Sequence, residues 1–314
     1  MDEQIDEQIK AERRGVEPPN ERLLLGILEP VVRCVPLSVL HRLGAFAARV
    51  AWLARSRSRT VTEINIRRAF PELDPDAQAL LARHSLRDSG RLIMESLAVW
   101  SRRPEQVLEW IVDVRGAELL AEAHTQGRGA ICLVPHFGNW EVLCVYLASH
   151  FRFAAMYERQ RIAWVDRWVA RGRRRSGARL TPATLAGLRG LRRALRAGQV
   201  VAVMPDQVPV LGSGERASFF GHPALTGTLA WRLAVTSGAP VFVASARRRD
   251  DARTGFAIRV TRFEPGWSSM DQCTALTAMN LAVEQLVREA PTQYQWEYKR
   301  FKHAVPGVDT YKQR

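Results

Sequence analysis

Cysteine is scarce in this 314-residue chain. The four cysteines, Cys34, Cys132, Cys144 and Cys273, form no CxxC pair and no metal-ligand spacing. A disulfide framework or zinc site is therefore not indicated, and the thiols read as small buried hydrophobes in a reducing compartment. Acid is also short: 32 Asp and Glu stand against 46 Lys and Arg, mostly Arg, for a formal net charge of +14. That excess favours an anionic partner, whether nucleic acid, phosphate-bearing lipid or an acidic carrier protein. No HExxH, Walker A or GxGxxG-after-strand pattern occurs, and no internal repeat or low-complexity linker. A charged fraction of 25% excludes a polytopic membrane protein, while 46% hydrophobic residues suffice for a sizeable core.

A clean run of roughly twenty apolar residues, the span of a membrane-crossing helix, is missing too. Residues 1–20 read as a loosely ordered charged tail rather than a cleavable secretory signal. Residues 21–60 are apolar but interrupted by Glu29, Arg33, His41, Arg42 and Arg49, with Pro30 and Pro36 breaking the helical runs. With Arg55, Arg57 and Arg59 following, this segment reads as interfacial helices lying on a bilayer surface. An ordinary amphipathic helix pair is the plainer alternative. The stretch Ala130–Ser149 is apolar enough to mimic a span, but Pro135, Gly138 and Asn139 in its middle favour strand, tight turn, helix.

Periodicity predicts helices over Ala77–Trp100, Trp140–Ser149, Ala163–Arg174, Leu185–Ala197, Thr226–Ser237 and Met270–Glu289. Strands are expected at Ala130–Val134, Arg152–Met156, Gln199–Met204, Val241–Arg247 and Phe256–Arg262, the last two as a pair across a charged hairpin. Strands alternating with helices indicate an α/β fold with helices on a central sheet.

The stretch VPHFGNWE, Val134–Glu141, carries the sharpest chemistry. It puts His136 just past a strand's carboxyl end, where α/β folds place catalytic groups. Gly138 permits a sharp turn and Asn139 suits a helix cap. Across that turn the imidazole and the Glu141 carboxylate can converge. A carboxylate on one ring nitrogen fixes the tautomer and leaves the other nitrogen to take a proton. Such a dyad has no nucleophile of its own, so the substrate, an alcohol, would supply it. The same spacing also fits a loop histidine beside a solvated first-turn glutamate.

His-x4-Glu after an apolar strand resembles the His-x4-Asp/Glu signature of glycerolipid-type acyltransferases. Further blocks narrow the resemblance to the late lipid A (lauroyl/myristoyl) acyltransferases: NIRRAFPEL at Asn65–Leu73, VPHFGNWE, MPDQ at Met204–Gln207, FFGHPALTGT at Phe219–Thr228 and PTQYQWEYKRFK at Pro291–Lys302. They occur in family order across most of the chain. The resemblance implies a glycerolipid-acyltransferase-like fold with a central mixed sheet flanked by helices and a membrane-associating N-terminal extension. Residues 61–314 would form the acyltransferase domain. It implies acyl transfer from acyl carrier protein to a hydroxyl of a lipid A precursor, a phosphorylated glycolipid, at the cytoplasmic face of the inner membrane. His136 would deprotonate the hydroxyl and Glu141 would orient it. A thioester already has a good leaving group, so no metal or other cofactor is required.

Other residues acquire candidate roles. Asp206 would hold an active-site arginine or the acceptor loop, or is a helix-capping or turn residue, and Gln207 is a candidate substrate contact. Phe219 and Phe220 would line an acyl slot or fill the core, Thr226 would cap a helix, and Arg300 and Lys302 are candidate phosphate contacts. The family often has Tyr-Arg-Pro after the second strand; here Met156-Tyr157-Glu158-Arg159-Gln160 places Arg159 one position later, as a candidate oxyanion or phosphate ligand. The usual Asn-Pro beyond it is Ile162-Ala163. Rival readings are an acyltransferase for another glycolipid or lysolipid (phosphatidylinositol-mannoside-like or ornithine-lipid-like), a basic nucleic-acid-binding protein, and a non-catalytic membrane scaffold. No recognised nucleic-acid motif accompanies the charge, so no nucleic-acid partner is expected.

Overall fold

The computed structural model describes residues 19–160, 162–249, 255–305 and 307–312, with side chains from residue 26 onward. The tail expected at 1–20 therefore lies outside the described residues, except that Pro19 and Asn20 already belong to the first helix. Three helices come first among the described residues: α1 (Pro19–Cys34), α2 (Leu37–Leu53) and α3 (Arg57–Ala69). The long α4 (Pro75–Ser101) follows, started by Asp74, whose side chain accepts from Ala77 N at 2.8 Å, with proline at the first helical position. Short α5 (Pro104–Leu108) leads into strand β1 (Ile111–Arg115) and α6 (Ala117–Thr125).

Then come β2 (Ala130–Leu133), α7 (Trp140–His150), β3 (Phe153–Tyr157), α8 (Ala163–Arg175), β4 (Arg179–Pro182), α9 (Leu185–Arg196) and β5 (Val200–Val203). A hairpin, β6 (Gly214–Phe219) and β7 (His222–Gly227), precedes α10 (Leu229–Ser237), the strand pair β8 (Val241–Arg249) and β9 (Gly255–Arg262), and α11 (Gln272–Glu289). Seven strands form one sheet in the order β1-β9-β8-β2-β5-β3-β4. The β8–β9 pair is antiparallel and the other neighbours are parallel, so the sheet is mixed, as expected.

Every residue of β2 and β5 is buried, because helices cover both faces of the sheet. Alternation along β2 divides the core. Ala130, Cys132 and Val134 pack with α7; Ile131 and Leu133 pack with α9, α10 and α11. The N-terminal helices pack on the α7 side, where Val32 and Leu40 meet Ala98 of α4 and Trp168 of α8. Within Ala130–Ser149 the chain runs strand, turn, helix, as its punctuation indicated.

One expected element divides differently. The helix expected over Thr226–Ser237 begins only at Leu229, and Thr226 lies in β7. Phe220 and Gly221 both take positive φ (48° and 72°), which closes a tight hairpin whose twist suits the flanking strands. Thr226 accordingly caps no helix. Its hydroxyl donates to Ala224 O and accepts from Asn280 and Arg300.

Candidate active site

Strands β2 and β5 are parallel neighbours, so their carboxyl ends open side by side, and Val134 N donates to Val203 O at 2.9 Å. His136 follows one strand and Asp206 the other. The His136 backbone N–H donates to Asp206 Oδ2 at 2.9 Å, and ring Nδ1–H donates to Asp206 Oδ1 at 2.9 Å. Asp206 is 1% exposed. Two bonds from one residue to the two oxygens of one buried carboxylate fix both the loop and the imidazole. Burial pushes the Asp206 carboxyl up, but the charge of His136, its ring and backbone hydrogen bonds and the nearby Arg300 outweigh that, leaving it below its ordinary value.

The turn carrying His136 is stitched down on both sides. Gly138 N donates to Gln293 O, Asn139 N to Ala246 O, and Gln295 N to His136 O. Gly138 has φ 61°, and a Cβ there would meet Ala246 O at 2.1 Å, so only glycine fits. Asn139 caps α7 through Oδ1, accepting from Glu141 N at 3.0 Å and Val142 N at 3.1 Å. The imidazole stacks on Tyr298 and meets Trp140 edge-on, with centroids 6.0 and 5.0 Å away.

Glu141 does not orient the histidine in this structure, which corrects the expected pairing. The helix that starts at Trp140 turns its carboxylate toward α8. There Arg173 clasps it with Nε at 3.0 Å from Oε2 and Nη2 at 2.5 Å from Oε1. Among the described residues no hydrogen bond joins Glu141 to His136, although both line the same cavity. Burial raises the Glu141 carboxyl, but Arg173's charge and hydrogen bonds bring it below its ordinary value. Arg173 is raised, since the attraction of Glu141 exceeds its own cost of burial. The pair is an ion bridge in the cavity wall, and the orienting role falls to Asp206.

That cavity holds about 770 Å³, within the usual range for small-molecule sites. Leu92, Trp100, Cys144, Phe153, Val169 and Leu180 make it largely apolar, while Glu158, Arg159 and Gln207 contribute polar groups. Gln207 donates to Glu158 Oε2 at 2.8 Å. Asp206 does not line the cavity and His136 does, so the ring edge away from Asp206 is the one presented to it. Neither Cys132 nor Cys144, the cysteines near the cavity, is poised as a nucleophile. Burial, with Cys144 nearby, pushes Cys132 up to about 12; burial and Glu141's charge do the same to Cys144. Among the described residues no group of three His, Cys, Asp or Glu side chains is placed to hold a metal ion.

Other expected contacts lie elsewhere. Phe219 and Phe220 are core: they pack with Phe70, Trp296 and Phe301 and do not reach the cavity. Arg300 is 1% exposed and cannot meet a phosphate. It donates to Leu225 O, Thr226 Oγ1 and Asn280 Oδ1, locking the β6–β7 hairpin to α11. Lys302 is exposed in a neighbouring groove with Arg57, Lys299 and His303; that groove shares Glu297 and Tyr298 with the cavity.

Glu95, Arg248 and Arg173 support the site with no signal in the sequence. Buried Glu95 of α4 accepts from Arg248 Nε at 2.5 Å, from Arg248 Nη2 at 2.8 Å and from Asn139 Nδ2 at 2.9 Å, and pairs with His41 of α2 at 2.6 Å. Arg173 is the third; it sits in the run Arg173–Arg175, where nothing marks one arginine as inward-facing. Asn65, from the NIRRAFPEL block, has a legible signal and a structural role. Its amide donates to Trp296 O and Tyr298 O, anchoring the segment that stacks on His136.

A carboxylate-held imidazole facing an apolar cavity, with neither nearby cysteine poised to attack, suits a group-transfer enzyme whose acceptor supplies the attacking atom. The family model described as bacterial lipid A biosynthesis acyltransferase matches residues 22–303, and the chain belongs to that family of acyl-transferring enzymes. It is 27% identical over 292 residues to the lipid A biosynthesis lauroyltransferase of Escherichia coli, covering 90% of this chain and 92% of that one. It is 29% identical over 280 residues to the E. coli lipid A biosynthesis myristoyltransferase, covering 88% and 84%. A phosphatidylinositol mannoside acyltransferase of Mycolicibacterium smegmatis is 26% identical over 217 residues, covering 68% and 70%.

Proposed function

We propose that this protein transfers a fatty acyl chain from a thioester on acyl carrier protein to a hydroxyl of a lipid A precursor, at the cytoplasmic face of the inner membrane. The observation that carries the reading is the His136–Asp206 pair at the apolar cavity. With Nδ1–H committed to Asp206, Nε2 takes the proton of the acceptor hydroxyl. The oxygen attacks the thioester carbonyl carbon, the C–S bond breaks, and the departing thiolate recovers the proton from the imidazolium. The cavity receives the acyl chain. The Glu141–Arg173 bridge holds its wall, Arg159 and Gln207 meet the polar part of a substrate, and Lys302 with Arg57 contacts acceptor phosphate.

The N-terminal helices support a bilayer location. Val39, Leu43, Phe46, Val50 and Leu53 are exposed at helical spacing on one face of α2, with Phe46 at 67% and Leu53 at 70%. Exposed Ile27 and Val31 of α1 add to the apolar surface, and Arg42 and Arg49 flank it. Among the described residues no single helix is long and apolar enough to cross a membrane. Gly26–Cys34 and Leu37–Leu53 reach that length and composition only together, bent by 114°. A face lying on the surface suits these helices.

The similarity to a phosphatidylinositol mannoside acyltransferase favours, as a second reading, another phosphorylated glycolipid as acceptor. Mass spectrometry of lipid extracts from cells lacking the protein separates the two. A lipid A one acyl chain lighter, restored by the wild type and not by His136→Ala, is the expected result. An unchanged lipid A alongside a lighter glycolipid of another class would move the assignment to that class.

A further inference from the structure

Between Asp166 and Asp206 the chain carries ten arginines and no acidic residue. Several are neutralised from outside the segment: Arg173 by Glu141, and Arg171 and Arg175 by Glu29. Arg189, Arg192, Arg193 and Arg196 of α9 have no carboxylate partner among the described residues. They fall on one exposed stripe that begins with Leu185, while Gly187, Gly190, Leu191, Ala194 and Leu195 face the core. Together with Ala186 they line a shallow groove. Like charges three and four residues apart on a helix repel one another, so this face costs the helix stability and is unexplained by the fold.

Its position links it to the site. Ala183, just before α9, lines the His136 cavity, and its N–H donates to Tyr157 O at 3.2 Å. The arginine row therefore starts near the cavity mouth and runs away from it along a helix about 18 Å long. It also lies across the sheet from α1 and α2. Ile131 and Leu133 of β2 pack under α9, whereas the N-terminal helices join the opposite side. Apart from Leu185, the exposed stripe offers no large apolar side chain, unlike α2. A bilayer covering the α2 face would leave α9 facing solvent.

We infer that the arginine face of α9 docks the acyl donor: a small acidic protein that carries the thioester on a flexible arm and feeds it into the cavity past Ala183. This inference rests on the acyl-transfer reading above and adds where the donor lands. A row of unpaired arginines steers an acidic partner and orients it, while Leu185 gives an apolar contact beside the opening.

The test compares two donors bearing the same acyl chain, one on acyl carrier protein and one on free pantetheine, with the wild type and the Arg189→Glu/Arg193→Glu variant. The variant should lose about tenfold or more in kcat/KM with the carrier-bound donor, and that loss should shrink as salt is raised. Its kcat/KM with acyl-pantetheine should match the wild type, which also shows that it is folded. Equal losses with both donors, or no loss with either, would overturn the docking face. So would a variant that keeps carrier-dependent activity but no longer sediments with anionic vesicles, because the face would then belong to the bilayer. A wild type that uses acyl-pantetheine but not the carrier-bound donor would remove this inference alone. One that uses neither would remove the acyl-transfer reading with it.

Discussion

His136 and Asp206 are 70 residues apart in the chain, yet Nδ1 of one lies 2.9 Å from Oδ1 of the other. Glu141, only five positions beyond His136, is held instead by Arg173 of α8. The acid that holds the imidazole and the acid that completes the short motif are thus different residues. Each has a distinct physical consequence when removed.

Replacing Glu141 by alanine leaves the Arg173 guanidinium, half-buried in the cavity wall, without its counter-ion. Losing one partner of such a pair costs about 3–5 kcal/mol, more than most single substitutions. The urea midpoint of Glu141→Ala should fall sharply, and adding Arg173→Met should recover much of it. Activity should fall along with the stability. Full stability in the single variant would show that the bridge is not the buried contact described.

Acid should unfold the protein through the same class of carboxylates. Burial pushes Glu95 up, but the charge and hydrogen bonds of Arg248 and His41 outweigh it and hold the group at about 2 against an ordinary 4.5. A depressed carboxylate contributes stability that is complete above its unfolded value and lost as pH falls through its folded one. The window therefore runs from about 4.5 down to about 2, and the contribution is at most roughly 3 kcal/mol. Asp206 and Glu141, also depressed, act in the same direction. Chemical unfolding at stepped pH should show stability declining across this window. Glu95→Gln should be less stable at neutral pH and have a shallower acid slope; an unchanged slope would mean Glu95 is not charged in the folded protein.

Thiol chemistry checks whether a cysteine could serve as the nucleophile. Cys34 and Cys273 are exposed, against the expectation of buried thiols, whereas Cys132 is buried and Cys144 touches the cavity with its thiol pushed up to about 12. Iodoacetamide at neutral pH should label Cys34 and Cys273 rapidly and the other two slowly. Cys144→Ala should keep its activity. An acyl group found on Cys144 by peptide mass spectrometry would require a different mechanism.

Local signals were legible where geometry is local. Pro135, Gly138 and Asn139 mark the strand–turn–helix around His136, because a positive φ and a side-chain cap need those residue types. The α/β class followed from alternating helices and strands and the β8–β9 pair from its charged hairpin, while the mixed sheet was implied by the family resemblance. The identity of the orienting acid was not legible, since it depends on β5 inserting between β2 and β3, a choice no local pattern encodes. The β6–β7 hairpin was hidden because Phe220 occupies a left-handed position that a sequence reading reserves for glycine or asparagine. Arg300 was misplaced for a related reason: an arginine is expected at the surface, and only the convergence of Leu225, Thr226 and Asn280 makes an interior site for it.

The most direct measurement is the acyl-transfer rate of Asp206→Asn with saturating thioester donor. Asparagine keeps the shape of the contact but does not stabilise the imidazolium or fix the tautomer that leaves Nε2 free. A drop in kcat of about 10²–10⁴ with little change in KM is expected, in a protein that is still folded although it melts somewhat lower for want of the buried charge. A folded Asp206→Asn enzyme running at the wild-type rate would contradict the His136–Asp206 pair as the catalytic unit.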